Sequence, residues 1–122
     1  ILAFPREEKL GGKISRTQVR HLERWLRREP LAAVADFYER AALHIPPSDH
    51  SSLPEHLLWG LERLEQDRVE PPLPAEWSAW CGEEDPLLDA ARLAALDPAI
   101  RIVSRAGHHP RALLQAWAEA SA

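Results

Sequence analysis

From Val19 onward the apolar residues return at helical intervals. Val19, Leu22, Trp25 and Leu26 share one face, while Arg16, Arg20, Arg24 and Arg27 line another as a basic stripe. Ser15 stands three residues before Gln18, the spacing at which a hydroxyl and an amide side chain cap a helix start reciprocally. A helix from Ser15 to about Glu29 is predicted. Pro30 suits the first position of a second helix, which would bury Val34, Phe37, Tyr38 and Ala41, and Ile45-Pro46-Pro47-Ser48-Asp49 breaks it. Ser52 with Glu55 repeats the capping box before a third helix whose apolar face is Leu57, Leu58, Leu61 and Leu64.

The pattern on either side is different. Ile1-Leu2-Ala3-Phe4-Pro5 reads as the exit of a strand, and Arg6 to Lys13 as a loop with Gly11-Gly12 giving backbone freedom. Pro71, Pro72 and Pro74 form a stiff linker. Beyond it the chain alternates: a strand at Trp77 to Cys81, a helix from Pro86 to Leu96 with Leu88, Ala91 and Ala95 inward, a strand at Ala99 to Val103, and a helix from Arg111 to Ala120. Such βαβα alternation indicates an α/β class with a parallel sheet. Two parallel strands do not bury both faces of a sheet, so further strands are expected from residues outside this chain. The division expected is 1–12 strand exit and loop, 13–70 helical cap, and 71–122 core segment.

Composition narrows the partners. Hydrophobic residues at 45% and charged residues at 28% are ordinary globular values, so a folded chain is expected. A net charge of −4 argues against nucleic acid as the main partner. No apolar run approaches the roughly 20 residues that cross a bilayer, and the first residues lack the basic-then-apolar plan of a signal peptide, though a signal could precede them; no membrane role is expected. The single cysteine, Cys81, allows no internal disulfide and suits a reducing cytoplasm.

Two turns carry the candidate chemistry. Cys81-Gly82-Glu83-Glu84-Asp85-Pro86 and Ala106-Gly107-His108-His109-Pro110 each follow an apolar run and precede a helical one. In an open α/β sheet reactive groups collect at the carboxyl ends of strands, where both turns fall. A histidine works as general base only if its second nitrogen is held by a hydrogen-bond acceptor, and Asp85 can be that acceptor for His108. Acid precedes histidine by 23 positions, in agreement with the chain order Ser, Asp, His of one hydrolase class. Each turn also has a plainer reading: aspartate before proline is a common helix start, and Gly107-His108-His109-Pro110 is a natural turn. His109 is the rival to His108.

The remaining candidates have structural explanations. His21, His44, His50 and His56 lack metal-ligand spacing and read as surface residues. Cys81 ends a strand with no acidic-histidine pair to activate it, so it reads as a buried thiol. Trp25, Trp59 and Trp117 sit at core spacing, and Trp77 and Trp80 lie in or near a strand; all five read as packing residues. The arginine stripe is either a solvated face or a docking site for an acidic protein.

The cap, the proline linker, Trp80-Cys81-Gly82-Glu83-Glu84-Asp85-Pro86 and Ala106-Gly107-His108-His109-Pro110 together resemble the lid and C-terminal core of α/β-hydrolase fold esterases. The cap segments Trp25-Leu26-Arg27-Arg28-Glu29-Pro30, Asp36-Phe37-Tyr38 and Leu57-Leu58-Trp59-Gly60-Leu61-Glu62-Arg63-Leu64 are similar to the biotin-pathway esterases that demethylate pimeloyl-carrier-protein methyl ester. The resemblance implies a serine esterase with Asp85 as triad acid and His108 as general base, and with neither metal nor organic cofactor. It further implies an ester substrate carried on an acidic acyl carrier protein received by Arg16, Arg20, Arg24 and Arg27. The chain contains no Gly-x-Ser-x-Gly elbow and begins at Ile1, so it is expected to be a C-terminal portion whose nucleophile lies upstream. A non-catalytic helical module that binds an acidic protein is the alternative.

Overall fold

The computed structural model describes residues 2–44 and 54–122. Strand β1 (Ala3–Pro5) runs through a one-turn 3-10 helix into strand β2 (Gly11–Ile14), and the two pair in parallel. The region expected to be a plain loop therefore holds a strand. The reason lies in tertiary pairing: Lys13 N–H donates to the Leu87 carbonyl at 2.9 Å and Asp89 N–H to the Gly11 carbonyl at 2.8 Å, so β2 is tied to a distant segment that local propensity cannot reveal.

Helix α1 (Arg16–Arg28) starts at the expected capping box, with Gln18 N–H donating to Ser15 Oγ at 3.1 Å and Ser15 N–H to Gln18 Oε1 at 2.9 Å. It buries Val19 and Leu26. Helix α2 (Pro30–Arg40) begins at the proline, whose missing amide costs nothing at a first turn, and packs on α1 through the fully buried Ala33. Helix α3 (Pro54–Gln66) leans on α1 with Leu57, Leu58, Leu61 and Leu64 half-buried, and none of its residues is fully buried. Ile45-Pro46-Pro47-Ser48-Asp49, Ser52 of the second capping box and His50 lie outside the described residues.

After α3 the chain returns to the core: Val69 N–H donates to the Leu2 carbonyl at 2.7 Å, and Ala3 bridges Arg68 on the free side of β1. The linker is then held by Leu73 N–H on the buried Asp97 carboxylate at 2.7 Å. Strands β3 (Trp80–Gly82) and β4 (Arg101–Val103) pair in parallel, with helix α4 (Ala90–Leu96) between them and α5 (Pro110–Ala120) after them. The molecule is thus of mixed α/β character with two small parallel sheets. Leu2, Phe4, Leu10, Val19, Leu87 and Leu93 meet in one apolar cluster that joins β1, β2, α1 and the β3–α4 segment.

Several local expectations are corrected. α4 begins at Ala90, four residues later than Pro86, because residues 87 to 89 are drawn against β2 and Asp89 caps the helix through the Arg92 amide at 2.9 Å. Its buried residues are Ala90 and Leu93, while Ala91 and Ala95 face outward. β3 is shorter than expected and Trp77 lies before it. Trp59, Trp77 and Trp117, expected to pack inward, are 65%, 57% and 48% exposed.

Candidate active site

Both chemistry-bearing turns leave the carboxyl ends of the paired strands β3 and β4, so the sheet register itself brings them together. The approach is close enough to require glycine at position 82, where a Cβ would overlap the carbonyl oxygens of Ala106 and Gly107. Backbone bonds stitch the turns: Glu83 N–H donates to the Val103 carbonyl at 2.9 Å and Glu84 N–H to the Ala106 carbonyl at 2.8 Å. Two loops 20 residues apart in sequence thereby behave as one rim.

On that rim His108 Nδ1 lies 2.8 Å from Asp85 Oδ2. The carboxylate is buried, 2% exposed, and the imidazole is 34% exposed. Asp85 Oδ1 accepts the Leu87 amide at 2.8 Å, so both carboxylate oxygens are engaged. Burial pushes this carboxyl up, but the His108 hydrogen bond and the Leu87 and Leu88 amides outweigh it and hold Asp85 below the ordinary carboxylate range. It is therefore ionised at neutral pH and can only accept, which puts the proton on His108 Nδ1. Nε2, left as the basic nitrogen, makes no hydrogen bond among the described residues. A basic ring nitrogen with an anchored, buried carboxylate behind the ring has the chemical capacity to accept a proton from a nearby hydroxyl or water.

Asp85 does not cap a helix. Pro86 disfavours a helical conformation at Asp85 and the Asp85 side chain takes the Leu87 amide, so the cap falls to Asp89. His109 is also resolved. Its Nδ1 accepts the Arg111 amide at 3.1 Å and caps α5, which requires the proton on Nε2. The neighbouring histidines are held in opposite tautomers, and only His108 has a carboxylate behind it.

The arginine stripe divides. Arg16 bonds Glu8 at 2.8 Å and lies 3.8 Å from Glu65, and Arg20 bonds Glu65 at 2.7 Å. Arg24 and Arg27 are exposed and make no ion pair among the described residues. Sequence spacing grouped all four because Glu8 and Glu65 arrive from other elements. Beside these pairs Glu23 has a buried oxygen without a hydrogen-bond partner among the described residues; burial and then the adjacent Glu65 hold its carboxyl above the ordinary range.

Cys81 is buried, and burial followed by the nearby Asp85 charge pushes its thiol up, away from nucleophilic use. His21, His44 and His56 are exposed, and among the described residues no group of three or more potential ligands could hold a metal ion. No protein-family model, no curated protein and no solved structure matches this chain. Among the described residues no helix is long and apolar enough to cross a membrane.

Two hollows lie beside the three helices α1, α2 and α3. One of about 440 Å3 is an open groove between α1, α2 and α3, with Leu22, Leu26, Val34, Phe37 and Leu61 in its walls. A second, of about 330 Å3, runs from Arg24 and Trp25 to Phe4 and Leu87. Leu87 is also the residue whose amide holds Asp85, so this second hollow reaches the same segment as the candidate site.

Proposed function

We propose that this chain is the cap and acid-base portion of a serine carboxylic ester hydrolase of the α/β-hydrolase fold, with the nucleophile supplied by residues outside it. The observation that carries the reading is the 2.8 Å contact between His108 Nδ1 and the buried Asp85 at the ends of two parallel strands. In the reaction, His108 Nε2 takes the proton of a serine hydroxyl as that oxygen attacks the ester carbonyl. The proton passes to the departing alcohol as the acyl-serine forms. Water then loses a proton to the same nitrogen as it attacks the acyl-serine, and that proton returns to the serine oxygen as the acid is released. Asp85 stabilises the imidazolium at each stage without taking its proton.

The hollow of about 330 Å3 between cap and core is of a size that suits an acyl chain, and it runs toward the Asp85 segment. We assign the substrate to carboxylic esters, with pimeloyl-carrier-protein methyl ester in biotin synthesis as the specific candidate suggested by the cap segments. Arg24 and Arg27, exposed and without ion pairs among the described residues, are the cations best suited to meet an acidic carrier protein; Arg16 and Arg20 already serve Glu8 and Glu65. A lone cysteine and an acidic balance are in keeping with a cytoplasmic enzyme that binds neither nucleic acid nor membrane. The same two arginines support the alternative, a non-catalytic module for an acidic protein.

The test joins this chain to the segment encoded immediately upstream and measures hydrolysis of a short acyl methyl ester. His108→Ala is expected to lower kcat by about 10^4 or more with the fold retained. An upstream segment without a serine elbow, or a variant as active as the parent, would reject the esterase and favour the binding module.

A further inference from the structure

The turn that delivers His108 is held in a conformation its own residues do not favour. Ala106 N–H donates to the Val103 carbonyl at 3.4 Å, with Ser104 and Arg105 at the corners. Arg105 has a φ of 59°, in the left-handed region that suits glycine or asparagine. Its side chain is exposed and makes no hydrogen bond or ion pair among the described residues, so it does not secure that conformation itself.

The support comes from the opposite turn. Glu83 Oε2 accepts the Arg105 amide at 3.0 Å and the Ser104 hydroxyl at 3.1 Å. Apart from the Asp85–His108 bond, these are the side-chain hydrogen bonds that link the two turns among the described residues. The Arg105 amide, followed by the Ser104 hydroxyl, also holds the Glu83 carboxyl below its ordinary range. Between the turn and the imidazole stands Gly107, whose carbonyl lies close to Gly82 but whose Cβ side faces open space, so no side chain of its own ties His108 in place once the turn relaxes.

We infer that Glu83 is a positioning residue: by bonding Arg105 and Ser104 it holds the Val103–Ala106 turn in its left-handed form and so sets the distance from His108 to Asp85. The catalytic meaning of this rests on the esterase reading, but its structural content does not. Glu83 touches neither the imidazole nor any reacting atom. It acts through the backbone that carries them.

The experiment reads the imidazole nitrogens and the Nδ1 proton of His108 by NMR on this chain, with no ester present. The parent chain is expected to hold the Nδ1–H form with a far-downfield proton. Glu83→Ala should lose that proton signal and mix the two tautomers, whereas Glu83→Gln, whose amide oxygen can still accept both bonds, should keep it. Adding Arg105→Gly to Glu83→Ala should restore the signature, since glycine takes the left-handed φ unaided. Ser104→Ala, lacking one of the two bonds, should give a weaker loss in the same direction. An unchanged His108 ring in Glu83→Ala, or in Ser104→Ala should the former fail to fold, overturns the proposal. So does a folded double variant that stays mixed. In the upstream-joined enzyme, Glu83→Ala should lower kcat roughly 10- to 100-fold with KM little changed. Absence of ester hydrolysis alongside an intact NMR response would sink the esterase reading and leave Glu83 in its positioning role.

Discussion

The rim that carries Asp85 and His108 and the three-helix cap are built on opposite terms. At the rim, short strands and turns hold the two carboxylates, and the imidazole through its Nδ1, by named partners. Asp85 has two, Glu83 has two, and the backbone of each turn bonds the other. In the cap, α3 has no fully buried residue, Trp59 is 65% exposed, and a hollow of about 440 Å3 separates the helices. Loosely filled helix interfaces yield more readily than cross-bonded turns. The difference teaches that the two regions are held differently: a cross-bonded pair of turns fixes Asp85 and His108, while the three helices keep room to shift against one another.

The largest effect should come from striking the rim itself. Asp85→Asn in the upstream-joined protein should reduce kcat by about 10^4, because an amide can donate to His108 and so favour the wrong tautomer. Exchanging both Arg24 and Arg27 for glutamate should leave hydrolysis of a small ester within about threefold, while weakening a carrier-bound ester through KM. Steady-state kinetics on the two substrates measures both. A cap exchange that lowered small-ester kcat as much as the rim change would erase the distinction.

Packing offers the next contrast. Leu93 of α4 is fully buried against Gly11 in the apolar cluster, and Leu93→Ala should cost about 2–5 kcal/mol in urea unfolding. Trp59→Ala on the exposed side of α3 should stay within about 0.5 kcal/mol.

His109→Ala should cost about 1 kcal/mol by uncapping α5 while sparing activity. Equal loss of activity at positions 108 and 109 would contradict the opposite-tautomer assignment.

The smallest effect is a pH trend of opposite sign in the two regions. Asp85 has a folded value below its unfolded one, so its stabilisation is complete above the ordinary carboxylate range and fades as pH falls through the lowered value. Glu23 has a folded value above its unfolded one, so its contribution is complete below the ordinary range and is lost as pH rises through the raised value. Hydrogen exchange, corrected for intrinsic rates, should therefore show the amides around Asp85 losing protection toward acid while those of α1 and α3 gain. Partial exposure of Glu23 keeps the cap's share below about 1 kcal/mol. Glu23→Gln should abolish that share.

Features written in neighbouring residues were legible in the sequence. The Ser15 and Gln18 box, the Pro30 start and the helix after Pro110 all depend on local hydrogen bonds and backbone preference. The pairing of Asp85 with His108 was legible as well, since alternating strands and helices place both turns on one edge. Whatever depends on distant chain was not. β2 and the late start of α4 follow from pairing between residues 11–13 and 87–89, and the spending of Arg16 and Arg20 follows from Glu8 and Glu65. Helical periodicity marked Trp59 and Trp117 as inward, but spacing identifies a face and cannot say whether another element covers it. The bonds from Glu83 to Arg105 and Ser104 were not legible in the sequence, where Glu83 reads as a solvated neighbour of Asp85, because those partners lie beyond a helix and a strand.

The most direct measurement is covalent labelling by a fluorophosphonate probe of the protein that joins this chain to its upstream segment. The parent should label at a single serine, and His108→Ala should slow that labelling by about 10^2-fold or more, the share a positioned general base supplies. A parent protein that takes no label, or a variant that labels as fast as its parent, would contradict the account.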